Sequence, residues 1–151
     1  MTDTTKFRDN CDRSSNRLNA IDNYLPFLAR ICLAAIFLWS GINKILHPIA
    51  TQVNMSAHGM PLTAIFLIAA IALEIFGAFS LLLGIKPRWG ATMLIIFLVP
   101  ATLIFHTDFS TELQQAMFLK NLAMLGGLLM IIRYGGGNIA ITKPKIRSDL
   151  N

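Results

Sequence analysis

Four stretches of this chain stay apolar for the full thickness of a bilayer, and that restricts the fold before any motif is read. They cover residues 25–43, 62–83, 89–107 and 113–132; the first, second and fourth each carry one charge, Arg30, Glu74 and Lys120, and the third carries none. A hydrocarbon core about 30 Å thick is crossed by about 20 apolar residues in a helix. A helix is required because backbone N–H and C=O groups find no water partners there. The chain therefore reads as all-α, an antiparallel bundle of four transmembrane helices. Composition agrees, with only 14% charged residues where a soluble domain carries about 25%.

The polar remainder predicts three regions: a flexible cytoplasmic tail over residues 1–23, a membrane domain over 24–134 and a basic tail over 135–151. The first region spreads Asp3, Lys6, Arg8, Asp9, Asp12, Arg13, Arg17 and Asp22 among Thr, Ser and Asn, too polar to bury a core. No small-residue cleavage pattern follows the first apolar stretch, so it reads as a retained helix rather than a signal peptide. Lys6, Arg8, Arg13, Arg17, Lys86, Arg88, Arg133, Lys143, Lys145 and Arg147 all fall on one side of the four spans, and only Lys44 on the other. Cytoplasmic segments hold the excess of Lys and Arg, which predicts an inner-membrane protein with both termini cytoplasmic. Tyr24, Trp89 and Tyr134 sit at that same boundary, where amphipathic rings settle. The net charge of +5 is thus explained by topology, and no basic face is left for nucleic acid.

Connections follow. Gly84-Ile85-Lys86-Pro87-Arg88 is short enough to force an antiparallel hairpin. The longer outer connection, from His47-Pro48 to Gly59-Met60-Pro61, spaces Ile49, Ala50, Val53 and Ala57 as a short interfacial helix would. Gly135-Gly136-Gly137 ends the last helix. Cys11 lies in the polar tail and Cys32 in the first span, so no disulfide scaffold forms and Cys32 reads as a buried thiol. Pro100 cannot donate to the carbonyl of Ile96, which predicts a bend in the third span.

Charges inside a span are costly, face the bundle interior and pair. By helical rise, Arg30 lies roughly 8 Å inside one boundary and Glu74 about 12 Å from the same boundary. Similar depth predicts an interior Arg30–Glu74 ion pair, which either marks a functional centre or only fixes helix register. Arg30, Ala34, Phe37, Gly41 and Lys44 share one stripe of the first span, and Ala70, Gly77 and Ala78 share the face of Glu74, where small residues allow close helix approach. A second group gathers at the opposite ends of the helices: Asn43, Lys44, His106, Lys120 and Asn121. The last four form a candidate polar pocket, with Lys120 either facing inward beside Ala123 and Gly127 or snorkelling to the headgroups. His47 and His58 lack Cys or carboxylate partners at ligand spacing, so no metal site is expected; His47 with His106 is the one pair that could ligate a haem. Neither a phosphate-binding glycine loop nor a nucleophile elbow occurs.

Motifs in order along the spans carry a family resemblance. They are Leu28-Ala29-Arg30, then Ile36-Phe37-Leu38-Trp39-Ser40-Gly41 leading to Lys44, then Leu73-Glu74-Ile75-Phe76-Gly77, Phe105-His106, and Leu119-Lys120-Asn121-Leu122-Ala123. This order resembles the DoxX family of small four-helix membrane proteins over about residues 24–140. Ser40 stands where the family often has His or another small polar residue, and the N-terminal tail is longer than usual. The resemblance implies a subunit or quinone-interacting anchor of a membrane redox system, since some relatives serve such complexes, among them thiosulfate-to-quinone electron transfer. Quinone would be the ligand, and the bilayer and redox-complex subunits the partners, with self-association open. Two readings of other classes compete: a small-solute or proton permeation unit, and a purely structural membrane component.

Overall fold

The computed structural model describes residues 3–142, with side chains from Tyr24 onward. Five helices follow one another: α1 (Asp3–Leu46), α2 (Pro48–Ala57), α3 (Thr63–Leu83), α4 (Pro87–Phe105) and α5 (Glu112–Tyr134). Four segments are long and apolar enough to cross a membrane, Tyr24–Leu46 within α1, Thr63–Leu83, Pro87–Phe105 and Glu112–Tyr134. No strand occurs among the described residues. The backbone of the polar segment assigned to a tail continues α1 upstream from Tyr24; its side chains, including Cys11, and the basic residues beyond Thr142 lie outside the described residues. The interfacial helix expected in the first connection is α2.

Helix α1 lies along α3, α3 along α4, and α4 along α5, while α5 meets α1 only lightly. Small residues set the first two crossings. A Cβ on Gly41 would sit 2.9 Å from Ile75 and 3.5 Å from the Cβ of Glu74, so α1 and α3 touch closely at that level. A Cβ on Gly77 would meet Leu94 at 2.7 Å and the carbonyl of Gly90 at 3.1 Å, which brings α3 and α4 nearly backbone to backbone. Ala34, Phe37, Ala78, Leu81, Leu94 and Leu128 fill the centre. Outward, Trp39, Ile68, Phe76, Trp89 and Leu129 are exposed. An apolar surface of this extent is unsuited to water and suits acyl chains. Cys32 is on that outer face, not buried as expected, because it lies off the stripe of Arg30, Ala34 and Phe37. Helix α4 runs through Pro100 without interruption.

The two ends of the bundle differ. At the proximal end, near Tyr24 and Tyr134, α3 closes on Gly84 (φ 68°), whose N–H donates to the carbonyl of Leu81 while that of Ile85 donates to Ser80. This left-handed cap favours glycine. Lys86 is also left-handed, at φ 45°, and is held by the Ser80 hydroxyl donating to the Ile85 carbonyl at 2.7 Å and by its own N–H donating to Thr142 Oγ1 at 3.1 Å. Residues 135–142 fold back here, with the Thr142 N–H donating to the Gly84 carbonyl at 3.0 Å. This part of the expected basic tail is therefore docked on the bundle. At the distal end, α2 buries Met55 and packs against α3 and α1, and α5 starts on Thr111, whose Oγ1 accepts from the Gln114 N–H at 3.3 Å. In the loop before it, the hydroxyl and N–H of Ser110 hold the Asp108 carboxyl below the ordinary carboxylate range.

The close α3–α4 crossing makes a contrast between two glycines. Gly77→Ala forces Leu94 or the Gly90 backbone to move and loses about 1–3 kcal/mol of stability, the usual effect of overpacking. Gly126→Ala adds a methyl into open space and leaves stability unchanged or raised by up to about 1 kcal/mol through helix propensity. Thermal unfolding of the two variants in detergent measures the difference.

Candidate functional site: a polar cavity at the distal end

Glu74 is fully buried, and its partner is Lys44. Lys44 Nζ lies 2.9 Å from Glu74 Oε2, donates to Oε1 at 3.1 Å and donates to Ser40 Oγ at 2.6 Å. The ammonium also sits 5.2 Å from the centroid of the Phe97 ring, a further favourable contact for a cation. A buried carboxylate without a counter-charge would be expensive in the apolar interior. Lys44 supplies that charge from one helix turn beyond Gly41.

The expected Arg30–Glu74 pair does not form. Arg30 is only 1% exposed, and its guanidinium donates from Nη1 to the Leu81 carbonyl and from Nη2 to the Ile139 carbonyl, both at 3.2 Å. Helix direction explains the exchange of partners. Side chains lean toward the N-terminus of their own helix. On α1 that direction carries Arg30 to the proximal end, away from Glu74, and carries Lys44 inward from the distal end. On antiparallel α3 it carries Glu74 toward the distal end, to meet Lys44. Arg30 instead ties α1 to the α3 terminus and to the folded-back C-terminal segment, and its Nε is buried without a hydrogen-bond partner.

The Lys44–Glu74 pair lines a half-open cavity of about 430 Å³ between α1, α2, α4 and α5. Lys44 from α1, His106 from the end of α4, and Lys120 and Asn121 from α5 all line it, together with Glu74, Ser40 and Asn43. His106 shares its Nδ1 with Gln114 Oε1 at 2.8 Å. Asn121, 7% exposed, donates from Nδ2 to Thr102 Oγ1 at 3.0 Å. Lys120 is exposed at the rim, near the sulfur of Met117. Apart from Thr51 and Asn54 on α2, the remaining wall is apolar, with the rings of Phe37, Trp39, Phe97 and Phe105 among its residues. Sequence reasoning missed Ser40, Thr51 and Asn54 as lining residues. Ser40 was detectable, one turn before Lys44 on α1; the two α2 residues depend on how that helix crosses the end of the bundle.

His47 precedes α2 and is not part of the lining. His58 stacks on Phe105, with ring centroids 4.7 Å apart, and its Nδ1 is 2.8 Å from the Asn54 carbonyl. No cluster of three or more His, Cys, Asp or Glu that could hold a metal occurs among the described residues.

Four membrane-crossing helices enclosing a charged cavity at one end define a small integral membrane protein with an intramembrane polar site. The DoxX family model matches residues 25–107, and the chain belongs to that family. The matched region holds Lys44, Glu74 and His106 but ends before α5, which supplies Lys120 and Asn121. Inner membrane protein YqjF of Escherichia coli (strain K12) is 32% identical over 116 residues, covering 77% of this chain and 88% of the relative. Inner membrane protein YphA of the same organism is 26% identical over 124 residues, covering 79% and 89%. No solved structure matches the chain. With these relatives and four spans, the chain is a multi-pass inner-membrane protein.

The pair has unequal halves. Lys44→Met strands a buried carboxylate and lowers stability by about 3–5 kcal/mol. Glu74→Gln costs less, since the Lys44 stem can carry its ammonium toward the distal boundary. Denaturation in matched detergent ranks the two variants; an equal loss contradicts the assignment.

Proposed function

We propose that this protein is a quinone-interacting subunit or anchor of a membrane redox system, with both termini on the cytoplasmic side. The observation that carries the reading is the distal cavity, whose wall combines hydrogen-bonding and cationic groups with aromatic rings and aliphatic side chains within a bilayer-embedded bundle. Its volume of about 430 Å³ falls within the roughly 300–1,000 Å³ usual for small-molecule sites. A quinone head is flat and apolar with carbonyl acceptors at its ends, and that chemistry suits such a wall. Bound there, it would supply reversible acceptance of electrons and protons.

The chain's own residues have definite parts in this reading. Lys120, at the rim, donates to a carbonyl oxygen. His106, with Nδ1 shared with Gln114, presents its ring to the cavity as a hydrogen-bonding partner for a quinone oxygen. Phe97 and Phe105 stack against the ring and exclude water. Lys44 and Glu74, already neutralising each other, hold the floor polar without leaving a net charge in the apolar interior. Electrons would come from a partner subunit, as the resemblance to redox-linked relatives implies. The permeation reading gains less support, because a path would have to continue from Glu74 to Arg30. Between those levels Ala34, Phe37, Ala78, Leu81, Leu94 and Leu128 fill the interior, each at most 2% exposed.

Titration of decylubiquinone into protein in lipid nanodiscs, carrying Trp89→Phe so that Trp39 is the single tryptophan, tests the proposal. Saturable quenching of Trp39 is expected. Lys120→Ala and His106→Ala each weaken it about tenfold or more, the weight of one charge-assisted hydrogen bond. Quenching that never saturates, or that both variants leave unchanged, contradicts the reading. Orientation is checked by fusing alkaline phosphatase to residue 151, where it stays inactive if the terminus is cytoplasmic.

A further inference from the structure

A second, smaller cavity of about 130 Å³ lies between α4 and α5. Val99, Leu103 and Leu122 on its walls are exposed on the outer face of the bundle, which places its mouth in the acyl layer. Apart from Thr102 and Asn121, its lining is wholly apolar. Leu98 and Asn121 are shared with the larger cavity. The two spaces are therefore separated by little more than these side chains, with the Asn121–Thr102 hydrogen bond of 3.0 Å on the dividing line. Thr102 Oγ1 also donates to the Leu98 carbonyl at 2.7 Å, so Thr102 links the α4 backbone to Asn121.

Resting on the quinone reading of the distal cavity, we infer that this groove is the binding site for the ligand's hydrocarbon chain. The head sits among Lys44, His106 and Lys120, and the chain leaves past Leu98 and Asn121 between α4 and α5. The chemistry on each side of the partition matches the two halves of an amphiphile: polar and cationic within, hydrocarbon without. The groove also has the right outlet, since a chain that leaves it enters lipid directly. Affinity cannot come from hydrophobic transfer, because acyl chains are as apolar as the groove. It comes from fit, with Asn121 and Thr102 fixing where the chain turns from the head. Pro100 lies on α4 between Val99 and Thr102 and has no N–H to donate to the Ile96 carbonyl, although the helix continues through it. Ile36 and Trp39 line the large cavity away from this groove.

The experiment compares decylubiquinone with 2,3-dimethoxy-5-methyl-1,4-benzoquinone, the same head without a chain, in nanodiscs carrying wild type, Val99→Trp, Leu122→Trp or Ile36→Trp. Binding is read by isothermal calorimetry. Tryptophan in the groove should weaken decylubiquinone by about tenfold or more, as overpacking a fitted site does, and leave the chainless quinone within about twofold. Ile36→Trp should not produce that selective loss. Far-ultraviolet circular dichroism and thermal unfolding in detergent certify that each variant is folded. If both quinones bind wild type but groove filling affects them equally, or affects neither, the groove assignment fails while the head reading stands. Selective loss at Ile36 instead moves the chain to the α1 side of the large cavity and also overturns it. If wild type binds neither quinone, the head reading fails and the groove assignment falls with it.

Discussion

The contact between Lys44 and Glu74 is the constraint from which the rest of the site follows. A carboxylate in the middle of an apolar helix is tolerable only with a cation held against it, and Lys44 reaches it with both oxygens within 3.1 Å. That contact sets the register of α1 on α3. It requires close approach of the two helices, which Gly41 allows by leaving room for Ile75 and for the Cβ of Glu74. It also leaves one patch of the interior polar, and the cavity is built around that patch.

Opposite ends of the same bundle handle charge in different ways. At the proximal end Arg30 is buried among backbone carbonyls and cross-links α1, the end of α3 and the folded-back segment at Ile139. Gly84 stands directly beside its guanidinium, where any side chain would collide. That end is closed and stapled. At the distal end the charged groups border open space, α5 scarcely touches α1, and α2 crosses above. A fixed end and an accessible end within one small bundle suit a protein that positions a ligand at a single level of the membrane.

Much of this was legible in the residues. Hydropathy placed the four spans to within a few positions, and helical spacing placed α2. Depth and face together picked out Lys44, His106, Lys120 and Asn121, residues that line a single cavity. The wrong partner for Glu74 came from counting depth along the helix axis alone. The lean of side chains toward each helix N-terminus shifts Arg30 and Lys44 in the same direction along α1 and shifts Glu74 the opposite way. Those shifts decide which cation meets the carboxylate. Arg30's true partners are main-chain carbonyls contributed by a turn and by the C-terminal segment, and no residue type signals such acceptors. Cys32 was misplaced because the inward stripe was drawn through Arg30 and Lys44 without asking which positions it leaves facing lipid.

The most direct test is a distance measured in the bilayer. Rotational-echo double-resonance NMR on protein in lipid, with ¹⁵N in the lysine side chains and guanidinium groups and ¹³C in the glutamate carboxyls, reports which nitrogen lies against Glu74, with Lys44→Arg and Arg30→Lys assigning the signals. Strong dephasing from the Lys44 ammonium, with none from the Arg30 guanidinium, is the predicted result. Coupling of Glu74 to Arg30, or to neither, would contradict the pairing and the cavity built upon it.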